Sequence, residues 1–276
     1  MDFSGIFSRI WQAQLEVAVP SFDPVPLTPI VSDLFFVDGG NSSLFSSALF
    51  DLSFIRVARV LYSKGSLSSI VKEEFYCLSI PDAGRFKVFL YPSRANVLTD
   101  SFFQPTVIDA DSLGVVAQKM RRYAELSVCD LTSGPCILDG SLDFSDSNEE
   151  SLIRALRNTV ALSKSSDKRE LSCMCAEGVW FARLDNFYAT KLHPKSRYVF
   201  RADIKGDPTF LLSALVPNSK DPVFLGYPFG LIQADKFARV SNQDSDYLKT
   251  KIASQAGNVS HLLSSDAHSI LDNISF

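Results

Sequence analysis

Two apolar segments, Leu34-Phe35-Phe36-Val37 and Cys136-Ile137-Leu138, each break off at an aspartate followed by small residues: Asp38-Gly39-Gly40 and Asp139-Gly140-Ser141. Aspartate is a poor strand former, and a glycine directly behind it supplies positive φ or room for a close neighbour. Strand ends of this kind put carboxylates at the rim of a sheet. Two readings stay open on spacing alone. Each aspartate is a turn residue between strands, or the pair shares a cation.

The surrounding pattern is a mixture of strands and helices. A β-rich run at residues 44–62 follows the first aspartate, so Asp38 to Ser42 reads as a tight turn between two strands. Residues 74–80 and 86–91 read as two more strands across the turn signal Pro81-Asp82-Ala83-Gly84, which makes an antiparallel meander. Asp111 then caps a helix with an apolar stripe of Leu113, Val116, Ala117, Met120, Ala124 and Val128, stopped by Ser133-Gly134-Pro135, with Glu125 on the edge of the stripe. Beyond the short strand at 136–138 a helix runs through Leu152, Ile153, Leu156 and Val160. Strands are expected at 179–184, 198–204 and 209–216, and helices at 231–240 and 245–256. A final short helix, capped by Ser264 or Ser265, buries Ala267, Ile270, Leu271 and Ile274 and carries His268 on its border. The fold class is α/β, a mixed sheet opened by a meander and flanked by helices.

Ahead of this lies a different kind of segment. Phe3, Ile6, Phe7, Ile10, Trp11 and Leu15 recur at helical spacing, and Pro20, Pro24, Pro26 and Pro29 follow as a stiff linker. Residues 1–30 are therefore an N-terminal helical arm with a proline-rich linker, and residues 31–276 one domain. The arm is expected to dock on another subunit or to pack back on its own domain.

Composition narrows the function classes. With 46% hydrophobic and 21% charged residues the chain is not disordered. Its 27 basic and 31 acidic residues leave a net charge of −4, so a nucleic-acid partner must be met by a local patch or a bound cation. Asp2, Arg9 and Glu16 interrupt the N-terminal segment, no apolar run reaches about 18 residues, and a cytoplasmic protein is expected. Cys77, Cys129, Cys136, Cys173 and Cys175 are scattered and odd in number, which fits reduced thiols, and the pair Cys173-Met174-Cys175 makes a poor zinc site. The sequons at Asn41, Asn258 and Asn273 are then coincidental.

Paired carboxylates suit phosphodiester hydrolysis, in which two divalent ions stabilise the attacking and leaving oxygens. All-oxygen ligands favour Mg²⁺ or Mn²⁺ over zinc. Glu125 on its helix and His268 near the C-terminus are candidates to complete such a site; alternatively Glu125 pairs with Arg121 and Arg122, and His268 with Asp272. Lys164, in the basic stretch 163–169, either holds a phosphate as a point charge or belongs to a solvated loop. Lys191, His193, Lys195, Arg197, Arg201 and Lys205 around Tyr188 and Tyr198 suit single-stranded DNA, or form an ordinary strand face. Arg122, Lys164, Arg169, Tyr198 and Arg201 are the candidate DNA contacts.

From about Val31 to Phe276 the chain resembles the NurA family, nucleases that work with the HerA hexameric ATPase. The resemblance rests, in order, on Phe36-Val37-Asp38-Gly39-Gly40, Arg121-Arg122-Tyr123-Ala124-Glu125, Leu138-Asp139-Gly140-Ser141-Leu142, Leu162-Ser163-Lys164, Gly226-Tyr227-Pro228-Phe229 with Leu231-Ile232-Gln233-Ala234-Asp235, and Asp266-Ala267-His268. It implies an RNase H-like fold and an Mn²⁺ site, with two ions and Mg²⁺ as a substitute, held by Asp38, Glu125, Asp139 and His268. It also implies 5′–3′ exonuclease and single-strand endonuclease activity in double-strand-break resection, by a homodimer beneath a HerA-type ATPase. Two rival readings are a non-catalytic scaffold or DNA-binding subunit of the same fold, and an actin-like phosphotransferase, which requires two similar lobes.

Overall fold

The computed structural model describes residues 4–15, 20–27, 33–93, 105–164, 171, 174 and 176–255. The strands are β1 (Asp23–Pro24), β2 (Asp33–Ser46), β3 (Asp51–Ser63), β4 (Ser66–Asp82), β5 (Arg85–Pro92), β6 (Val107–Ile108), β7 (Cys136–Asp139), β8 (Thr159–Ser163), β9 (Trp180–Arg183), β10 (Tyr188–Lys191) and β11 (Phe200–Lys205). The helices are α1 (Ser4–Leu15), α2 (Leu113–Asp130), α3 (Ser147–Ala155), α4 (Pro208–Leu215), α5 (Phe229–Ala238) and α6 (Asn242–Gln255). The strands form one mixed sheet in the order β1-β9-β10-β11-β8-β7-β2-β3-β4-β5-β6. Pairing is parallel between β2 and β7 and between β7 and β8. The long hairpins β2–β3, β3–β4 and β4–β5 are antiparallel. The expected meander is therefore present, closed by Lys64-Gly65 and Ala83-Gly84, all four with φ between 47° and 82°, as two-residue hairpin turns of this hand demand.

Alternation along the central strands divides the core in two. Phe36, Ile137, Val160 and Leu162 point to the face covered by α4 and α5, where Leu211, Leu212, Leu215, Leu231 and Ala234 are buried against them. Val37, Leu138 and Ala161 point to the opposite face, beneath Val116, Met120, Tyr123 and Ala124 of α2 and Ile153 of α3. The α2 stripe is the one expected from its spacing; its N-cap is Ser112 rather than Asp111, with no side-chain cap bond.

Several local expectations are corrected. The backbone does not turn at Asp38: β2 runs straight through Asp38, Gly39 and Gly40 and turns only beyond Ser46, where the Ser47 N–H donates to the Phe50 carbonyl at 2.9 Å. Helix pressure, not a turn, explains the glycines. A Cβ on Gly40 would overlap the Ala238 carbonyl at the end of α5, and one on Gly39 would overlap Glu125 Oε1 and lie 2.8 Å from Arg121 Cγ.

The helix expected through Val160 stops at Ala155, and Val160 lies in β8. Residues 209–216, expected as a strand, belong largely to α4, because Asp207 caps the helix by accepting from the Thr209 and Phe210 N–H groups and Pro208 occupies its first turn. Asp23 and Pro24, within the expected linker, pair with β9 at the sheet edge.

The thiols are also corrected. Cys129 near the end of α2 and Cys136 at the start of β7 form a disulfide across the short connection, with Cα atoms 5.8 Å apart, while Cys77 is free and buried. The final expected helix, with His268, and Arg169 lie outside the described residues. Among the described residues no helix is long and apolar enough to cross a membrane.

Candidate active site

The sheet order creates the site. Val37 pairs with Leu138 across the parallel β2–β7 ladder, so Asp38 and Asp139 sit next to each other on neighbouring strands. By the same alternation both carboxylates leave the sheet on the side of α5. At this level β7 ends, β8 ends one step further at Ser163, and β2 continues. Open α/β sheets bind ligands in such a crevice, beyond the carboxyl ends of parallel strands. Here it is a cavity of about 510 Å³ lined by Asp38, Arg121, Arg122, Glu125, Asp139 and Lys164, among others.

Glu125 arrives from the other face. It sits on α2, only 4% exposed, and reaches the Asp38 end of the sheet because Gly39 presents no side chain to it. Arg122 holds it there. This guanidinium lies 3.5 Å from Glu125 Oε2 and 3.1 Å from Glu149 Oε1, and donates a short hydrogen bond to the Ser141 carbonyl, tying α2 to α3 and to the turn after Asp139. Arg121 donates to the Gly39 carbonyl at 2.8 Å and approaches Glu125 Oε1 at 3.6 Å. Glu125 Oε1 is buried yet makes no hydrogen bond. A buried carboxylate oxygen in that state is costly unless a cation completes its surroundings.

Asp139 ends β7 ahead of Gly140, whose φ of +100° turns the chain away. Its Oδ2 accepts from Lys164 Nζ at 2.5 Å and its Oδ1 from the Tyr227 hydroxyl at 3.2 Å. Lys164 follows β8 directly and lies 5.3 Å from the centre of the Tyr227 ring. Burial opposes the lysine's charge, but the hydrogen bond it donates to Asp139 and the charges of Asp139, Asp38 and Asp235 outweigh it and raise its pKa.

Asp38 carries the clearest sign of crowding. Burial first, then the charges of Glu125 and Asp139 and a smaller push from Asp235, raise its carboxyl from 3.8 to about 7, against the Gly39 N–H that donates to Oδ1 at 2.7 Å. A carboxyl perturbed by burial and by specific neighbouring charges in a cleft is a candidate functional group.

Asp38, Glu125, Asp139, Lys164 and Arg122 thus meet at one cavity. Arg201 does not join them. It is 7% exposed, and its guanidinium donates to Asp203 at 3.0 Å and to Asp143 at 2.8 Å, so it faces inward rather than toward a ligand. Tyr198 is 67% exposed.

Two residues given no role from the sequence also belong to the site: Tyr227, through Asp139, and Asp235 of α5, whose charge acts on Asp38, Lys164 and Tyr227. Both lie in the Gly226-to-Asp235 stretch, and Asp235 falls eight residues after Tyr227, on the helix that Gly230 lets press against Phe36. The signal is the single acid of that helix, next to its single base Lys236.

No family model matches the chain, and no curated protein sequence matches it. Among solved structures, the chain is similar to the NurA nuclease from Sulfolobus solfataricus, with a TM-score of 0.59 at 13% identity over 92% of this chain and 94% of that one. It also matches endonuclease V of Ciona intestinalis bound to inosine-containing DNA, with a TM-score of 0.41 at 11% identity over 90% and 98% of the two chains. The first likeness shows a NurA-like fold, a large mixed sheet flanked by helices.

Proposed function

We propose that the protein is a divalent-metal-dependent nuclease whose carboxylates are Asp38, Glu125, Asp139 and Asp235. The observation that carries this is the convergence of Asp38, Glu125 and Asp139 on one cavity with Lys164, Arg121 and Arg122, where burial first and then the charges of Glu125, Asp139 and Asp235 disfavour the ionised form of Asp38. A cation is the chemical answer to such a cluster.

The donor set fits one. Among the described residues no three Asp, Glu, His or Cys side chains already close around one point. Asp38, Glu125 and Asp139 nevertheless line one cleft, Asp235 is near enough for its charge to act on Asp38, all donors are oxygens, and Glu125 Oε1 lacks a hydrogen-bond partner. Hard ions such as Mg²⁺ or Mn²⁺ match this set, whereas zinc prefers nitrogen or sulfur. Asp38, Asp139, Glu125 and Asp235 would hold them. Bound divalent ions supply Lewis acidity that activates the attacking water and stabilises the leaving oxygen.

The chain's own groups do the remainder. Lys164 places a positive charge beside Asp139, where it meets a phosphate entering the cleft. Tyr227 fixes the orientation of the Asp139 carboxylate through its hydroxyl. Arg122 fixes Glu125 from behind and, being engaged with Glu149 and the Ser141 carbonyl, acts as a positioning residue. The finer reading follows the motif resemblance alone: Mn²⁺ as the ion, 5′–3′ trimming and single-strand cutting in end resection, and a homodimer beside a HerA-type ATPase. The same resemblance adds His268, which lies outside the described residues, to the proposed ligands.

The test is cleavage of a labelled single-stranded oligonucleotide with MnCl₂ by the native protein and by Asp38→Asn, Asp139→Asn and Asp235→Asn. Loss of cleavage in all three is expected. Cleavage that survives in all three contradicts the assignment.

A further inference from the structure

We propose that the turns at residues 193–198 and 219–227 together form a track that carries one unpaired nucleic-acid strand to Asp139. This rests on the nuclease reading and adds where the strand runs.

The two turns are interlocked. Gly226, at φ +93°, lies so close to the first turn that a Cβ would sit 2.5 Å from Ser196 Oγ and 3.7 Å from the His193 Cβ. The Gly226 N–H donates to the Ser219 carbonyl at 2.9 Å, and the Ser196 N–H to the His193 carbonyl at 3.0 Å, so each turn is fixed internally. Tyr227, the next residue, touches Asp139. The track thus abuts the acids.

Its surface has the two properties that unpaired strands need: positive charge for phosphates and open ring faces for bases. Lys195, Arg197 and Lys220 are exposed and make no ion pair among the described residues. Lys195, Lys220 and Lys191 are close enough that, after burial, their charges lower the pKa of His193. The neighbouring acid, Asp221, is turned to the backbone and accepts from the Val223 and Phe224 N–H groups at 2.9 and 3.2 Å.

A file of rings, with Tyr227 and Phe200 buried beneath the surface, leads outward from the acids and opens to solvent at Tyr198. Tyr227 contacts Phe200 with centres 5.5 Å apart, and Phe200 contacts Tyr198 at 6.4 Å. Tyr198 is 67% exposed and Phe224 48% exposed. In a duplex the base faces are stacked away, so exposed rings beside lysines favour a single strand. In a chain of net charge −4 this local patch is what attracts the phosphates.

The experiment is fluorescence anisotropy in EDTA, which prevents cleavage, with labelled oligothymidylate and a duplex of equal length. The proteins are the native chain, Tyr198→Ala and the double variant Lys195→Gln/Lys220→Gln. All three positions are exposed, and unchanged urea midpoints verify folding. Tyr198→Ala is expected to weaken single-strand binding about tenfold with little effect on the duplex. The double variant is expected to lower the slope of log affinity against log salt by about 1.4. Variants that bind single strands as the native chain does, in a protein that cleaves with Mn²⁺, overturn the track and leave the active site standing. A native chain that neither binds nor cleaves any oligonucleotide overturns both.

Discussion

Replacing Asp38 by asparagine should make the metal-free protein more stable above neutral pH while abolishing its activity. Asp38 titrates near 7 in the folded chain against 3.8 as its ordinary value, because burial and the charges of Glu125, Asp139 and Asp235 penalise its ionised form. The folded state therefore holds a proton that the unfolded chain has released across that interval. Stability tied to this group is full below 3.8 and is lost as pH rises through 7. The whole rise corresponds to about 4 kcal/mol, of which about 3 kcal/mol falls between pH 5 and pH 8.

Asparagine keeps the shape and removes the charge. Urea unfolding in EDTA at both pH values should show the variant gaining about 3 kcal/mol relative to the native chain on going from pH 5 to pH 8. Mn²⁺ at pH 8 should then stabilise the native chain and not the variant, since only a ligand of the folded state shifts the equilibrium. A native-to-variant difference that stays constant from pH 5 to pH 8 would refute the electrostatic reasoning.

Other substitutions test the supporting shell. Lys164→Met should lower cleavage about a hundredfold while leaving Mn²⁺ affinity equal or higher, because it removes the phosphate charge and frees Asp139 Oδ2; steady-state kinetics and metal titration read the two effects. Gly39→Ala should cost about 1–3 kcal/mol and activity with it, as the new Cβ displaces Glu125; Gly40→Ala should cost more, because it meets the Ala238 backbone rather than a side chain. Arg122→Met leaves Glu125 and Glu149 without their shared cation and should cost about 3–5 kcal/mol in urea unfolding.

Much of this was legible in the sequence, and the failures have physical causes. The α2 stripe, β7 and the hairpin closed at Ala83-Gly84 follow local rules of period and turn chemistry, and Asp139 ends its strand as an Asp-Gly pair should. Asp38-Gly39-Gly40 obeys no local rule. The same letters that form a turn are held extended because Glu125 and Ala238, distant in sequence, occupy the space where side chains would stand. Residues 209–216 are a short apolar run that suits a buried strand or a helix alike, and the Asp207-Pro208 start makes the run helical as far as Leu215. Nothing local in the sequence gives Tyr227 and Asp235 a role, because only the packing of α5 and the turn before it on β2 brings them toward Asp38 and Asp139. Strand composition points Arg201 outward, while the buried Asp203 and the exposed Asp143 between them hold it against the sheet.

The most direct test of the central claim is an anomalous diffraction map from crystals of the protein soaked in Mn²⁺. Peaks within coordination distance of both Asp38 and Asp139, absent from Asp38→Asn crystals, are the expected result. An empty cleft in crystals whose dissolved protein cleaves DNA with Mn²⁺, or peaks only at other carboxylates, would contradict it.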